Sequence, residues 1–193
     1  MTATLLLLLP LLAHADTPAP EDARLASLFK DYVAALCEQR PFTATQLGDH
    51  THDHRLDDLS AEGRKKRAAL PRETLKKLDT LDATKLSPEG KIDLDVFRQS
   101  LKREVWGDEN LDTWATDPLV WNEFISDSVY ALFASSTVAR ERNVRNAVQR
   151  ISQVPRVIAA ARVTLAKPPR VYTETAIARN KGAITFYESG IYE

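Results

Sequence analysis

An all-α fold is predicted for this chain by three observations. Apolar residues recur every three or four positions along most of its length, and Ser-Pro and Asp-Pro pairs stand where those patterns begin. No stretch shows the sustained alternation of a half-buried strand. The 193 residues suit one domain or a piece of a larger one, and 44% hydrophobic with 27% charged residues is ordinary for a globular protein. The 26 Lys and Arg nearly cancel the 27 Asp and Glu, leaving a formal charge of -1 and no global attraction to nucleic acid or an anionic membrane.

The elements follow in order. Residues 5–15, LLLLLPLLAHA, form an apolar run too short to span a bilayer, closing on the small-x-small triplet Ala13-His14-Ala15. A signal peptide over residues 1–15 is therefore expected, with export to the periplasm or beyond and no stable membrane span. Met1 to Thr4 carry no Lys or Arg, so either the true start lies upstream or the amino group alone supplies the n-region charge. The TPAPED segment within residues 16–23 reads as a linker, and residues 24–193 as the helical region. The pattern Leu25, Leu28, Phe29, Tyr32, Val33 and Leu36 places the first helix over residues 21 to about 38, stopping before Pro41. Cys37, the only cysteine, has no partner for an internal disulfide and reads as a small buried side chain. The polar stretch 60–84 suggests two short helices around Pro71.

Ser87 as N-cap and Pro88 at the first helical position start a helix through Leu94, Phe97, Leu101 and Val105 to Gly107. Asp117-Pro118 starts another, with a break near Ser126. Val144, Val148, Ile151, Ile158, Ala161 and Leu165 keep one phase on both sides of Pro155. They predict two collinear helices or one kinked helix with that face turned inward. A last helix begins at about Thr173, weakened by Gly182.

Charge is unevenly spread. Seven acids and no Lys or Arg lie between Glu104 and Asp127, whereas eight basic residues and one acid, Glu141, lie between Arg140 and Arg170. The basic block could face nucleic acid, but few aromatics interleave it to stack on bases. Pairing of the two blocks across a helix bundle, or solvated faces, is the expectation, and no nucleic-acid partner is assigned.

No His-Glu-x-x-His, Gly-x-Ser-x-Gly or phosphate-cradling glycine loop occurs. The one concentration of ligand-type residues is GDHTHDHRLDD, residues 48–58. On a strand, His50, His52 and His54 would share a face and could bind zinc, with Asp49 or Asp53 as a carboxylate behind them. In a loop, the same residues would be solvated or would cap turns.

The segment PFTATQLGDHTHDHRLDDLS resembles the opening signature of the bacterial family known as domain of unknown function 885 (DUF885), through Pro41, Ala44, Thr45, Gly48, Asp49, Leu56, Asp58 and Ser60. DPLVW resembles the family's Asn-Pro segment with Asp117 in place of Asn. RISQVPRVIAAARVTLAKPPRVYTETAI resembles a later run through Arg150, Pro155, Ala161, Leu165, Pro168, Pro169, Thr173 and Ala176. His52 and His54 are not part of the pattern.

The resemblance implies a longer, mostly helical, zincin-like and often exported parent. Its zinc centre would come from a His-Glu segment followed by Gly-His in the C-terminal half, absent from these residues. The chain then corresponds to the N-terminal, non-catalytic part of a zinc-dependent peptidase-like hydrolase. No catalytic, cofactor-binding or metal residue is assigned to it. Its partners would be the rest of the same polypeptide and a peptide substrate, with Trp114, Trp121 and Tyr130 either lining a cleft or packing in the core. The alternative is a complete small exported helical binding module without enzymatic activity. A part of a larger protein should leave a large apolar face uncovered, whereas a finished module should not.

Overall fold

The computed structural model describes residues 20–134 and 137–190, and those residues are mostly helical with no strand among them, so the all-α prediction holds. In chain order the helices are α1 (Pro20–Gln39), α2 (Pro41–Gln46), α3 (Ala61–Leu78), α4 (Pro88–Asn110), α5 (Thr113–Thr116), α6 (Pro118–Asn122), α7 (Ser128–Ala134), α8 (Arg140–Thr164) and α9 (Arg170–Glu188). A 3₁₀ turn spans Ala83–Lys85, and a π turn, Glu123–Asp127, joins α6 to α7. The predicted leader lies outside the described residues, as do residues 16–19 of the predicted linker. Residues 20–23 are already in α1, because Pro20 occupies the first helical turn, where its missing N–H costs nothing.

Capping sets the starts of α3, α4 and α6. Ser60 Oγ accepts from Gly63 N at 3.1 Å, Ser87 Oγ from Gly90 N at 2.9 Å, and Asp117 Oδ1 from Leu119 N at 2.9 Å. Helix α4 runs three residues past the predicted stop at Gly107.

Helices α1, α3 and α4 close over one apolar cluster of Leu25, Leu78, Leu86, Leu94, Phe97 and Leu101. Each fully buried leucine contributes roughly 1.5–3 kcal/mol of transfer free energy. Phe97 meets Phe29 and Tyr32 edge-on, at centroid distances of 5.1 and 5.2 Å. The carboxylates at the start of α1 hold the 79–87 connection in place: Glu21 Oε1 accepts from Asp82 N at 2.7 Å and Asp22 Oδ1 from Ser87 N at 3.1 Å. A second cluster of Phe42, Leu56, Leu59, Trp121, Phe124, Val157 and Ala161 joins α2 and the loop after it to α6 and α8. A third, Val129, Leu132 and Ala147, joins α7 to α8. Cys37 is buried near the end of α1, as expected, and burial pushes its thiol pKa upward.

Three predictions about helices are corrected. The stretch around Pro71 is one helix, not two. Pro71 removes one ladder bond, but it is buried where α3 packs on α1 and α4, and Arg72 Nη1 donates to Ala68 O at 2.6 Å in the preceding turn. Helix α9 starts at Arg170 and passes through Gly182 to Glu188.

The third correction concerns α8, a single helix through Pro155 whose inward face is largely polar. It buries Asn143, Asn146, Ala147, Arg150, Val157 and Ala161, and leaves Val144, Val148 and Ile158 exposed. Ala161 and Leu165 do reach the core. The predicted break near Ser126 is the π turn, where side chains join the backbone ladder. Ser126 Oγ donates to Asn122 O, Ser128 Oγ to Phe124 O and the Tyr187 hydroxyl to Ile125 O.

Gly63 and Gly182 are both helical but differ in surroundings. A Cβ on Gly63 would lie 2.1 Å from the backbone oxygen of Asp58, whereas one on Gly182 meets nothing within 4 Å. Urea denaturation should therefore show Gly182→Ala gaining about 0.5–1 kcal/mol from backbone entropy and Gly63→Ala losing stability. Equal gains at both sites would mean that α3 does not approach Asp58 so closely.

Candidate functional site

Residues 41–60 do not form a strand. Helix α2 ends at Gln46, followed by Gly48, whose φ of 84° is open to glycine at little cost, and residues 51–54 form successive turns. Asp49 Oδ1 accepts from Thr51 N at 2.9 Å, and Asp58 Oδ1 from Ser60 N at 3.0 Å. The three histidines do not converge. His50 is half-buried with Nδ1 2.9 Å from Asp53 Oδ2, His52 lies near Asp49, and His54 is exposed. Among the described residues no group of three or more His, Cys, Asp or Glu is placed to hold a metal ion.

What the segment does is bind α8. Arg150 is fully buried. It donates through Nη1 to Ser128 O at 2.5 Å and through Nη2 to Thr45 Oγ1 at 2.5 Å and Pro41 O at 3.4 Å. Asp53, also buried, lies 3.8 Å from Arg150 Nη2 through Oδ1, the atom that accepts the Thr45 hydroxyl at 2.7 Å. Burial pulls the Arg150 guanidinium down to about 10, opposed by the charges of Asp53 and Asp57, so it stays charged at neutral pH.

Farther along α8, Gln153 Oε1 accepts from Leu56 N at 3.1 Å while its amide donates to His54 O at 2.9 Å. Arg156 Nη2 donates to Leu56 O at 2.7 Å, and Arg142 Nη2 to His50 O at 3.1 Å. Part of the basic block thus serves loop carbonyls, and no ion pair joins it to the acidic block among the described residues. Glu104 pairs instead with Arg40, and Asp108 and Glu109 pair with Arg72.

Asp57 links this region to a cavity. Its Oδ1 accepts from Phe42 N at 3.0 Å and its Oδ2 from Arg67 Nη1 at 3.0 Å; burial raises its pKa against those bonds. Arg67 and Arg40 border a cavity of about 440 Å³ between α3, α4 and α5, with Arg64, Arg103, Glu104 and Trp114. The Arg64 and Arg67 guanidinium carbons lie 5.9 and 5.7 Å from the Trp114 ring centroid.

Of the three aromatics considered for a cleft, Trp114 borders the cavity. Trp121 is core and donates to Trp114 O at 3.0 Å, while Tyr130 is exposed, with its ring edge on Phe186. The cavity escaped the sequence reading because its arginines are scattered in no motif: Arg40 at the α1–α2 junction, Arg64 and Arg67 on α3, and Arg103 on α4.

Pro41, Thr45 and Arg150 of this buried contact belong to the family pattern, and residues 41–191 match the family described as bacterial protein of unknown function (DUF885). The chain belongs to the DUF885 family. No curated protein matches it. Among solved structures, "a putative lipoprotein of unknown function from Shewanella oneidensis" has the same fold, with a TM-score of 0.78 at 22% identity over 86% of this chain. This chain spans 30% of that one.

Within this DUF885 member, Pro41 supplies a carbonyl to Arg150, Thr45 a hydroxyl, Gly48 the left-handed turn, and Ser60 the cap of α3. Asp117 caps α6 through its side-chain oxygen, a role open equally to the asparagine of the family pattern. Ala176 is buried on α9, and its carbonyl accepts from Asn122 Nδ2 at 3.2 Å.

Arg150→Leu should cost about 3–5 kcal/mol in denaturant unfolding, because it leaves Asp53 buried without its counter-charge. Arg150→Lys should recover little, since an ammonium cannot span Ser128 O and Thr45 Oγ1 as a planar fork does. A loss below about 1 kcal/mol would remove Arg150 from this structural role. Tyr32 gives a pH-dependent counterpart. Burial, then the charge of Glu104, raises its phenol to about 12, so folding is favoured below the ordinary value near 10 and that contribution disappears as the pH rises toward 12. The ultraviolet titration difference between wild type and Tyr32→Phe should inflect near pH 12; an inflection near 10 would place the ring in solvent.

Proposed function

We propose that this DUF885 chain is the helical N-terminal, non-catalytic part of an exported zinc-peptidase-like hydrolase, and that its outer helices dock onto the remainder of that polypeptide. The observation that supports this most directly is the face α8 turns away from its own core. Val144, Val148, Ile151, Pro155 and Ile158 follow a 4-3-4-3 spacing, which lines one side of a helix as the seam of a helix pair does. Val148 keeps 62% of its surface and Val144 47%, while only Ile151 of the five touches the third apolar cluster. On α9, Ile177 and Ile184 are likewise exposed, seven residues apart on one face.

A further polypeptide is the occupant this reading assigns to that surface, since the solved chain with the same fold is covered by this one over 30% of its length. The family resemblance supplies the hydrolase class and the zinc. The described residues do not fit a zinc centre, because they bring no three His, Cys, Asp or Glu side chains together around one point. No catalytic step is therefore derived from this chain. Export rests on the leader pattern of residues 5–15 and gains support from the description of the Shewanella oneidensis chain as a lipoprotein. No helix among the described residues is long and apolar enough to cross a membrane.

The gene provides the first test. Under this reading the open frame continues past the codon for Glu193 into a His-Glu segment followed by Gly-His, and a stop codon there would overturn it in favour of the small binding module. In solution, sedimentation of the isolated chain should show self-association that Val148→Glu with Ile158→Glu abolishes at unchanged helix content. A strictly monomeric wild type would mean the stripe is no docking face.

A further inference from the structure

We propose that the arginine-lined cavity between α3 and α4 binds a small organic oxyanion, a carboxylate or phosphate, carried on an apolar body that rests against Trp114. The inference concerns residues of this chain alone and does not depend on the hydrolase reading.

The charge around the cavity is unbalanced. Arg40, Arg64, Arg67 and Arg103 border it, against Glu104 and Asp108. Both acids are already engaged: Glu104 holds Arg40 and accepts the Tyr32 hydroxyl at 3.3 Å, and Asp108 holds Arg72 at 2.6 Å. Arg67 turns one nitrogen to Asp57, so Arg64 and Arg103 are left without a carboxylate among the described residues. Arg40 is only 8% exposed and its Nε has no hydrogen-bond acceptor. Burial, and after it the nearby Arg40 charge, press Arg67 toward losing its proton, and the second of these is the repulsion between the two guanidinium groups. An anion between these guanidinium groups relieves that repulsion and accepts their free N–H groups.

The geometry is set before any ligand arrives. Arg64 is held by a 2.7 Å bond from Nη1 to Leu59 O and lies 5.9 and 5.7 Å from the centroids of Trp114 and Trp121, while Arg67 is fixed by Asp57. Guanidinium planes fixed against rings lose little freedom on binding an oxyanion. Trp114, Val120, Leu111 and Pro71 supply apolar wall, and about 440 Å³ accommodates a single aromatic ring with its acidic group.

The test uses the full chain and tryptophan fluorescence, with benzoate, phenyl phosphate and the neutral benzyl alcohol as probes. At least one anion should bind saturably and the alcohol should not. The tighter of the two anions identifies the oxyanion as carboxylate or phosphate. Arg103→Gln, at an exposed position, and Arg64→Gln should each weaken binding by about ten-fold or more with an unchanged circular dichroism spectrum. Arg145→Gln, on the exposed side of α8, should leave it unchanged. Absence of saturable binding by both anions, equal binding of the alcohol, or wild-type affinity in both cavity variants would each overturn the assignment.

Discussion

A guanidinium with no exposed surface sits where three separate pieces of this chain meet. Arg150 projects from α8 and donates to the carbonyl of Ser128 at the start of α7, to the carbonyl of Pro41 at the start of α2, and to the hydroxyl of Thr45 at its end. A charge removed from water is tolerated only when paired and hydrogen-bonded, and Asp53 completes the pairing from the loop after α2. The arrangement stabilises little by comparison with a well-packed apolar substitute. What it imposes is register, because only one placement of α2, the loop and α7 satisfies the fork and its counter-ion together.

The rest of the lower half of the fold follows from that register. Once Thr45 and Asp53 are fixed, the intervening turns bring the backbone of residues 50–57 against α8, where Arg142, Gln153 and Arg156 take up its carbonyl and amide groups. A loop that lies against a helix without strand partners needs side chains to satisfy its polar groups, and this helix supplies them. Asp57 then faces the other way and holds Arg67, so the bracket that anchors the loop also fixes one wall of the cavity. Structure and candidate binding chemistry share that carboxylate.

Helix α8 consequently has an inverted distribution of polarity. Its buried face contains two asparagines and an arginine, whereas valines and an isoleucine line the outside. A helix in a finished core normally places those groups the other way round. On the polar face the Arg150 Nη groups find their partners within this chain, while among the described residues Asn143 Oδ1 and Asn146 Nδ2 are buried without one and the apolar face is uncovered. The docking reading proposed above assigns that uncovered face to further polypeptide, in keeping with a solved chain of the same fold of which this one spans 30%.

The sequence by itself determined what depends on near neighbours along the chain. Helix starts at Ser87-Pro88 and Asp117-Pro118, the fate of Cys37 and the disturbance near Ser126 were legible, because capping, a missing partner thiol and helix periodicity are local properties. The family signature was legible as a pattern, yet its meaning was not, since the partner of Thr45 stands about a hundred residues away on α8. Only the tertiary structure decided that Pro71 continues a helix, that the histidines serve a turned loop, and which face of α8 points inward. In each case the free energy of contacts with distant residues outweighed a local preference of a few kcal/mol. The arginine cavity belongs to the same class, because four charges from α3, α4 and the α1–α2 junction become one site only when the helices pack.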